Sequence, residues 1–204
     1  MNNIKTLSYI LLLLSSGCAS STYYIELSPR YEQLSEKFFD NYDSKNVYTY
    51  DVQKSDVKGF GGQISIIEDT KFLFARLSYF KSEMKSDAFT YSTAITPTAT
   101  DAVKISGDGF ETSIGLHLWH LRPYISSNYT SYTFLQPASL EHPEYNNLVN
   151  IGFGLAFDIP ITESTRLFVN NHFVNGSSSH SIGIIFGGWK TNVGNDKKTP
   201  KRKR

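Results

Sequence analysis

The segment LVNIGFGLAFDI, residues 148–159, constrains the chain more than any other, because apolar side chains alternate with small or polar ones along its whole length. Val149, Ile151, Phe153, Leu155, Phe157 and Ile159 fall on one face of a strand, and Asn150, Gly152, Gly154, Ala156 and Asp158 on the other. The second face is too polar for another protein layer and suits a polar interior. Period two recurs along the chain. Leu73, Ala75, Leu77 and Tyr79 oppose Arg76 and Ser78, and Phe110, Ile114, Leu116 and Leu118 oppose Glu111, Ser113, Gly115 and His117. Leu167, Val169 and Phe173 oppose Arg166, Asn170 and His172, and Ile182, Ile184 and Phe186 oppose Ser181, Gly183 and Gly187. The alternation is weaker in TYYIELSPR, KGFGGQISII and PYISSNYTSYTF. No stretch of the body sustains a 3.6-residue apolar period beyond a couple of turns.

These segments predict about eight strands. The links near residues 68–70, 120–122 and 161–164 are short, and those at about 32–56, 83–102 and 136–146 are long and polar. The last link, NGSSSH, is rich in turn formers. Short turns on one side and long loops on the other describe an all-β, closed, antiparallel up-and-down transmembrane barrel spanning residues 22–190. Closure follows from hydrogen bonding. A sheet showing an apolar face to lipid has no water for its edge amides, so it must pair with itself. Eight strands enclose an interior that side chains fill.

The N-terminus carries a basic residue (Lys5), then the apolar run Ile10–Leu14, then small residues. That order predicts a secretory signal peptide over residues 1–17, with cleavage up to residue 20. The run is too short for a membrane-spanning helix, which needs about 20 residues. Cys18, the single cysteine, excludes an internal disulfide. Leu14–Cys18 also resembles a bacterial lipobox, which would make Cys18 a lipid attachment point, although Ser15 stands where leucine is usual. Ordinary cleavage between small residues is the other reading. Net charge is +1, which gives no broad case for a nucleic-acid partner, and residues 191–204 form a basic tail expected to be disordered.

Alternation, loop asymmetry and the closing strand SIGIIFGGW together resemble the small eight-stranded outer-membrane barrels of Gram-negative bacteria, of the OmpA-like transmembrane type. The resemblance implies export to the outer membrane, contact with its lipid, and a last strand read by the assembly machinery. Gly183 and Phe186 fit that strand, whereas Gly188 stands where an aromatic is usual and Trp189 falls one place late. Aromatic girdles are expected at Trp119, Phe157 and Trp189 near the short turns, and at Tyr79, Tyr129, Tyr132 and Phe134 near the long loops.

Charged residues on the inner face should pair, because an isolated charge in a sealed barrel is costly. Arg76 with Glu111, and Asp158 with Arg166, are the expected lumen pairs, read as a polar plug and alternatively as a gate or proton path. Some barrels of this size are lipid A-modifying hydrolases, with histidine and serine two apart on a lipid-facing strand. Here Val174 follows His172 at that spacing, while Ser177–Ser179 and His180 read as a loop tip, so no catalytic residue is assigned. The five histidines lack ligand-like spacing, and neither a metal nor a cofactor is expected. The function read from the chain is a non-enzymatic envelope or adhesion protein whose long loops meet extracellular protein or glycan. A periplasmic lipoprotein barrel holding an apolar ligand is the alternative, and a lipid A-modifying hydrolase the third reading.

Overall fold

The computed structural model describes residues 21–35, 37–39, 51–54, 57–92, 99–136 and 144–191. The leader with Cys18, the tail beyond residue 191 and the middle of each long loop lie outside the described residues. Strands are β1 (Ser21–Leu34), β2 (Asp51–Lys54), β3 (Val57–Asp69), β4 (Leu73–Ser92), β5 (Ala99–Leu116), β6 (Leu121–Gln136), β7 (Glu144–Pro160), β8 (Thr165–Val174) and β9 (Ser177–Thr191). All but β2 join one ring. β3 through β9 pair in sequence, each antiparallel to the next, and β1 closes the ring by pairing with both β3 and β9. Short β2 pairs only with the far end of β4.

The apolar face of each strand points outward. Ile151 is 80 % exposed and Phe153 64 %, with Val149, Leu155, Phe157 and Ile159 beside them on β7. Leu77, Phe110, Ile125, Ile182 and Ile184 continue the same exposed band around the ring. An exposed apolar wall around a polar interior inverts a ligand-binding cup of the lipocalin kind, so the periplasmic-cup alternative is set aside.

Four expectations are corrected. The connection assigned to residues 83–102 is largely strand, since β4 runs to Ser92 and β5 starts at Ala99. At 20 and 18 residues these strands far exceed the roughly 9–11 that cross a bilayer, so their surplus projects on the long-loop side. Asp69 and Arg122, assigned to short turns, are strand residues pointing inward. Tyr132 and Phe134, expected in a girdle, are also inside, at 3 % and 2 % exposure. Finally, the inner wall is not uniformly polar. Leu34, Val57, Met84, Val103, Ile105, Tyr132 and Phe134 form an apolar layer at the long-loop end, closed by Phe38 and Phe39 from a helical turn at residues 37–39. Tyr24, Ile67, Phe74, Tyr124, Ala156, Phe168 and Ile185 form a second layer toward the short turns.

The late tryptophan of the last strand is resolved by a bulge. Tyr24 pairs with Gly187 and Tyr23 with Trp189, so Gly188 is an extra residue in β9. Regular alternation would carry Trp189 to the same side as Ile185, which is buried; the bulge turns it outward, to 56 % exposure. Both bulge residues need glycine, with φ of 129° at Gly187 and 106° at Gly188. Space is not the constraint at Gly188, where a Cβ would come no nearer than 3.8 Å to Tyr24. Gly188→Val should therefore cost about 1–3 kcal/mol through backbone strain alone. Deleting Gly188 should leave Trp189 outward and stability within about 0.5 kcal/mol of the parent, read from urea midpoints in lipid vesicles.

Candidate functional site: the sealed lumen

Between the two apolar layers lies a charged belt built by the even-numbered inward positions of β1 and by single charges on β4 and β5. Glu26, Ser28, Arg30 and Glu32 follow one another on the inner face of β1, all at 5 % exposure or less. Arg76 of β4 meets Glu111 of β5 in a hydrogen-bonded ion pair, donates to the Tyr124 hydroxyl at 3.2 Å, and stands 3.8 Å from Glu26. Arg30 lies 3.6 Å from the other oxygen of Glu111 and 3.7 Å from Glu32, donates to Gln63 at 2.9 Å, and stacks over the Phe80 ring. Glu32 also accepts from Ser82 and from Tyr132, each at 2.6 Å. Tyr132 in turn packs edge-on against Phe38, with ring centroids 5.0 Å apart, so the belt and the closing helical turn are one packed unit.

A second charged group lies toward the short turns. Arg122 forks onto Asp69 at 2.7 and 2.9 Å and reaches both oxygens of Asp158 at 3.2 Å. Arg166 donates to Asp158 at 2.8 Å and to the Tyr24 hydroxyl at 3.0 Å. The bidentate fork is the geometry in which arginine binds carboxylate best. Asp158 and Arg166 also line a cavity of about 260 Å³ that opens between His117, His120 and Glu163 at the short-turn end. The four charges named from the sequence thus occupy two groups, Arg76 with Glu111 and Asp158 with Arg166. Sequence reasoning missed Glu26, Arg30, Glu32, Asp69 and Arg122; the period-two run of Glu26, Ser28, Arg30 and Glu32 was a signal for three of them.

The belt also contains a Ser–His–Glu arrangement. Ser126 Oγ is 2.6 Å from His172 Nε2, and His172 Nδ1 is 3.3 Å from Glu111. Ser126 and His172 belong to β6 and β8, which are separated by β7, and glycine at 152 permits the contact, since a Cβ there would lie 2.7 Å from His172 Nε2. Spacing matches a catalytic triad, but setting does not. A nucleophile must meet its substrate, and Ser126 is 5 % exposed beneath the aromatic closure. Glu111 already serves Arg76 and Arg30. These groups form one buried polar network that links β4, β5, β6 and β8. Among the described residues, no group of three or more His, Cys, Asp or Glu side chains is placed to hold a metal ion.

On the outer wall, Tyr79, Phe110 and Tyr129 stand in cross-strand register on β4, β5 and β6 and form an aromatic row below the charged strand ends. Phe157, Trp119 and Trp189 lie at the short-turn end, where the Trp119 ring is 87 % exposed and stacks on His120.

An apolar exterior, a closed hydrogen-bonded ring and a packed, charged interior define an eight-stranded integral β-barrel of the outer-membrane type. No protein-family model and no curated protein sequence matches the chain. Among solved structures it is similar in fold to Ail, the attachment invasion locus protein of Yersinia pestis, solved with the heparin analogue sucrose octasulfate, at 5 % identity and a TM-score of 0.46 over 85 % of this chain and 99 % of that one. It is also similar to Neisserial surface protein A, at 14 % identity and a TM-score of 0.41 over 84 % and 97 %. A de novo designed transmembrane β-barrel matches at 13 % identity and a TM-score of 0.35 over 83 % and 95 %. At these values the likeness carries nothing about activity.

Breaking a buried pair strands its partner, which typically costs about 3–5 kcal/mol. Arg76→Met and Glu111→Gln should each destabilise by that order, and the double variant by clearly less than their sum, measured as a double-mutant cycle of urea unfolding. Additive losses would show that the two groups are not coupled.

Proposed function

We propose that the chain is exported to the outer membrane of a Gram-negative bacterium, has no catalytic activity there, and serves as a contact protein whose long-loop end meets extracellular protein or glycan. The observation that carries this reading is the contrast between the two ends of the barrel. The lumen is closed by Phe38 and Phe39 above and by the Arg122–Asp69–Asp158 group below, which supports neither a conducting pore nor access of a substrate to Ser126. Beyond the aromatic row, in contrast, β3, β4 and β5 continue outward with charged side chains. Lys58, Lys85 and Lys104 stand in direct register on these three strands. Like charges so placed repel one another, and Glu83 makes an ion pair of 2.8 Å with Lys104. That hydrogen bond and the ammonium charge hold the Glu83 carboxyl below its usual range. A cationic row held clear of the membrane suits an anionic partner. The assembly machinery would read the last strand with Trp189 outward, and the basic tail at residues 191–204 would lie in the periplasm, as both termini of an even-stranded barrel do.

Cells displaying the barrel should adhere to an immobilised sulfated glycan, and adhesion should fall as salt rises. Lys85→Glu with Lys104→Glu should remove most of that adhesion while leaving the barrel assembled. The purified protein in a planar bilayer should show no steady conductance. Undiminished adhesion by the double variant, or a stable open channel, would contradict the reading.

A further inference from the structure

One polar pair interrupts the lipid-facing wall. Asn171 of β8 points outward between Val169 and Phe173 on its own strand, opposite Leu155 of β7. His180 of β9 is its partner on the other side and is followed outward by Ile182. The two side chains are joined by a hydrogen bond of 2.7 Å between His180 Nδ1 and Asn171 Oδ1. The imidazole ring is bracketed by Tyr31 of β1, stacked at 6.1 Å, and by Phe173, edge-on at 6.1 Å. Phe153 stacks on Phe173 at 5.5 Å and Phe60 meets Tyr31 at 5.2 Å, extending the aromatic surround across four strands. Among the described residues, nothing bonds to the Nε2 of His180.

An ionisable side chain facing hydrocarbon is expensive, and its presence calls for a polar partner. The pair lies on the long-loop half of the barrel. Asn175 and Gly176 form the turn of the β8–β9 hairpin, and His180 is only a few residues beyond it, roughly 10–15 Å along the strand at about 3.3 Å per residue. With the hairpin turn at the headgroup surface, that distance sets the pair where acyl chains of the outer leaflet join their headgroups. The chemistry of the missing partner follows from the ring. If the Asn171 oxygen accepts from Nδ1–H, Nε2 presents a lone pair to the lipid; if the amide is turned and its NH₂ donates, Nε2 presents an N–H. A hydroxyl satisfies either state, because it both donates and accepts.

We propose that Asn171 and His180 form a binding site for one outer-leaflet lipid, with His180 Nε2 hydrogen-bonded to a hydroxyl near its acyl–headgroup junction and the acyl chain lying across Phe153 and Phe173. The proposal needs the barrel to sit in a membrane and is independent of any extracellular partner. Ser178, two residues before His180 on the same face, makes no hydrogen bond with it, so the site is assigned binding and no acyl transfer.

The test is native mass spectrometry of the barrel released from its own membrane in mild detergent, followed by titration with a hydroxyacyl lipid and with the same lipid lacking the hydroxyl. The parent protein should retain one lipid and prefer the hydroxylated form by on the order of tenfold, the worth of one hydrogen bond. His180→Phe keeps the ring and removes its nitrogens; it should bind both lipids equally, and Asn171→Leu should behave alike. Unheated gel mobility reports separately that each variant is a folded barrel. Equal retention of the hydroxylated lipid by folded parent and folded His180→Phe would overturn the proposal, as would a parent with no preference between the two lipids.

Discussion

The structure depends on one set of hydrogen bonds, those that join the first strand of the barrel to the last. In hydrocarbon an unpaired amide has no solvent to satisfy it, and each one left open costs several kcal/mol. The β1–β9 ladder removes both edges of the sheet at once. Once that closure is imposed, the direction of every side chain follows from its parity along a strand. From Val149 to Ile159, odd-numbered residues of β7 meet lipid and even-numbered residues meet the lumen. The Gly187–Gly188 bulge is the one place where β9 departs from that rule against β1, and its effect is to return the closing tryptophan to the lipid side.

Closure also decides how charges are housed. A ring of eight strands is narrow, so an arginine on one wall reaches carboxylates on others. Arg76 on β4 contacts groups from β1, β5 and β6, and Arg122 on β6 bridges β3 and β7. Small residues provide the room. Gly152 and Gly154 on β7 sit where a Cβ would collide with His172 and with Tyr124, so side chains from β6 and β8 meet over that strand. The result is a plug in layers, apolar at the loop end, ionic in the middle, then apolar and ionic again toward the short turns. Desolvation offsets much of the attraction within such buried ion pairs.

Legibility in the sequence varied with the contrast between a strand's two faces. β7 was readable because from Val149 to Ile159 its outward positions are all apolar and its inward ones all small or polar. In β4 the period placed Leu73 outward with Ala75, Leu77 and Tyr79, but not the apolar Phe74 among the polar inward positions, where it is 2 % exposed. Tyr132 and Phe134 looked like interface aromatics because ring chemistry is the same in a girdle and in a lumen; parity from Asn128 and Thr130, which are inward, would have placed them inside. Phe38 and Phe39 lie in a loop with no periodicity to read, and the Ser126–His172 contact depends on proximity across an intervening strand. His180 was discounted as part of a loop tip, whereas strand β9 already begins at Ser177 and carries it onto the lipid face.

The most direct test of this architecture is a cysteine scan from Val149 to Ile159 in a background lacking Cys18, with a fluorophore on each cysteine and brominated acyl chains in the vesicles as quencher. Quenching should alternate along β7, strong at 149, 151, 153, 155, 157 and 159 and weak between them. Alternation in the opposite phase, or quenching without a period of two, would contradict the assignment of the apolar face to lipid and with it the sealed, charged interior.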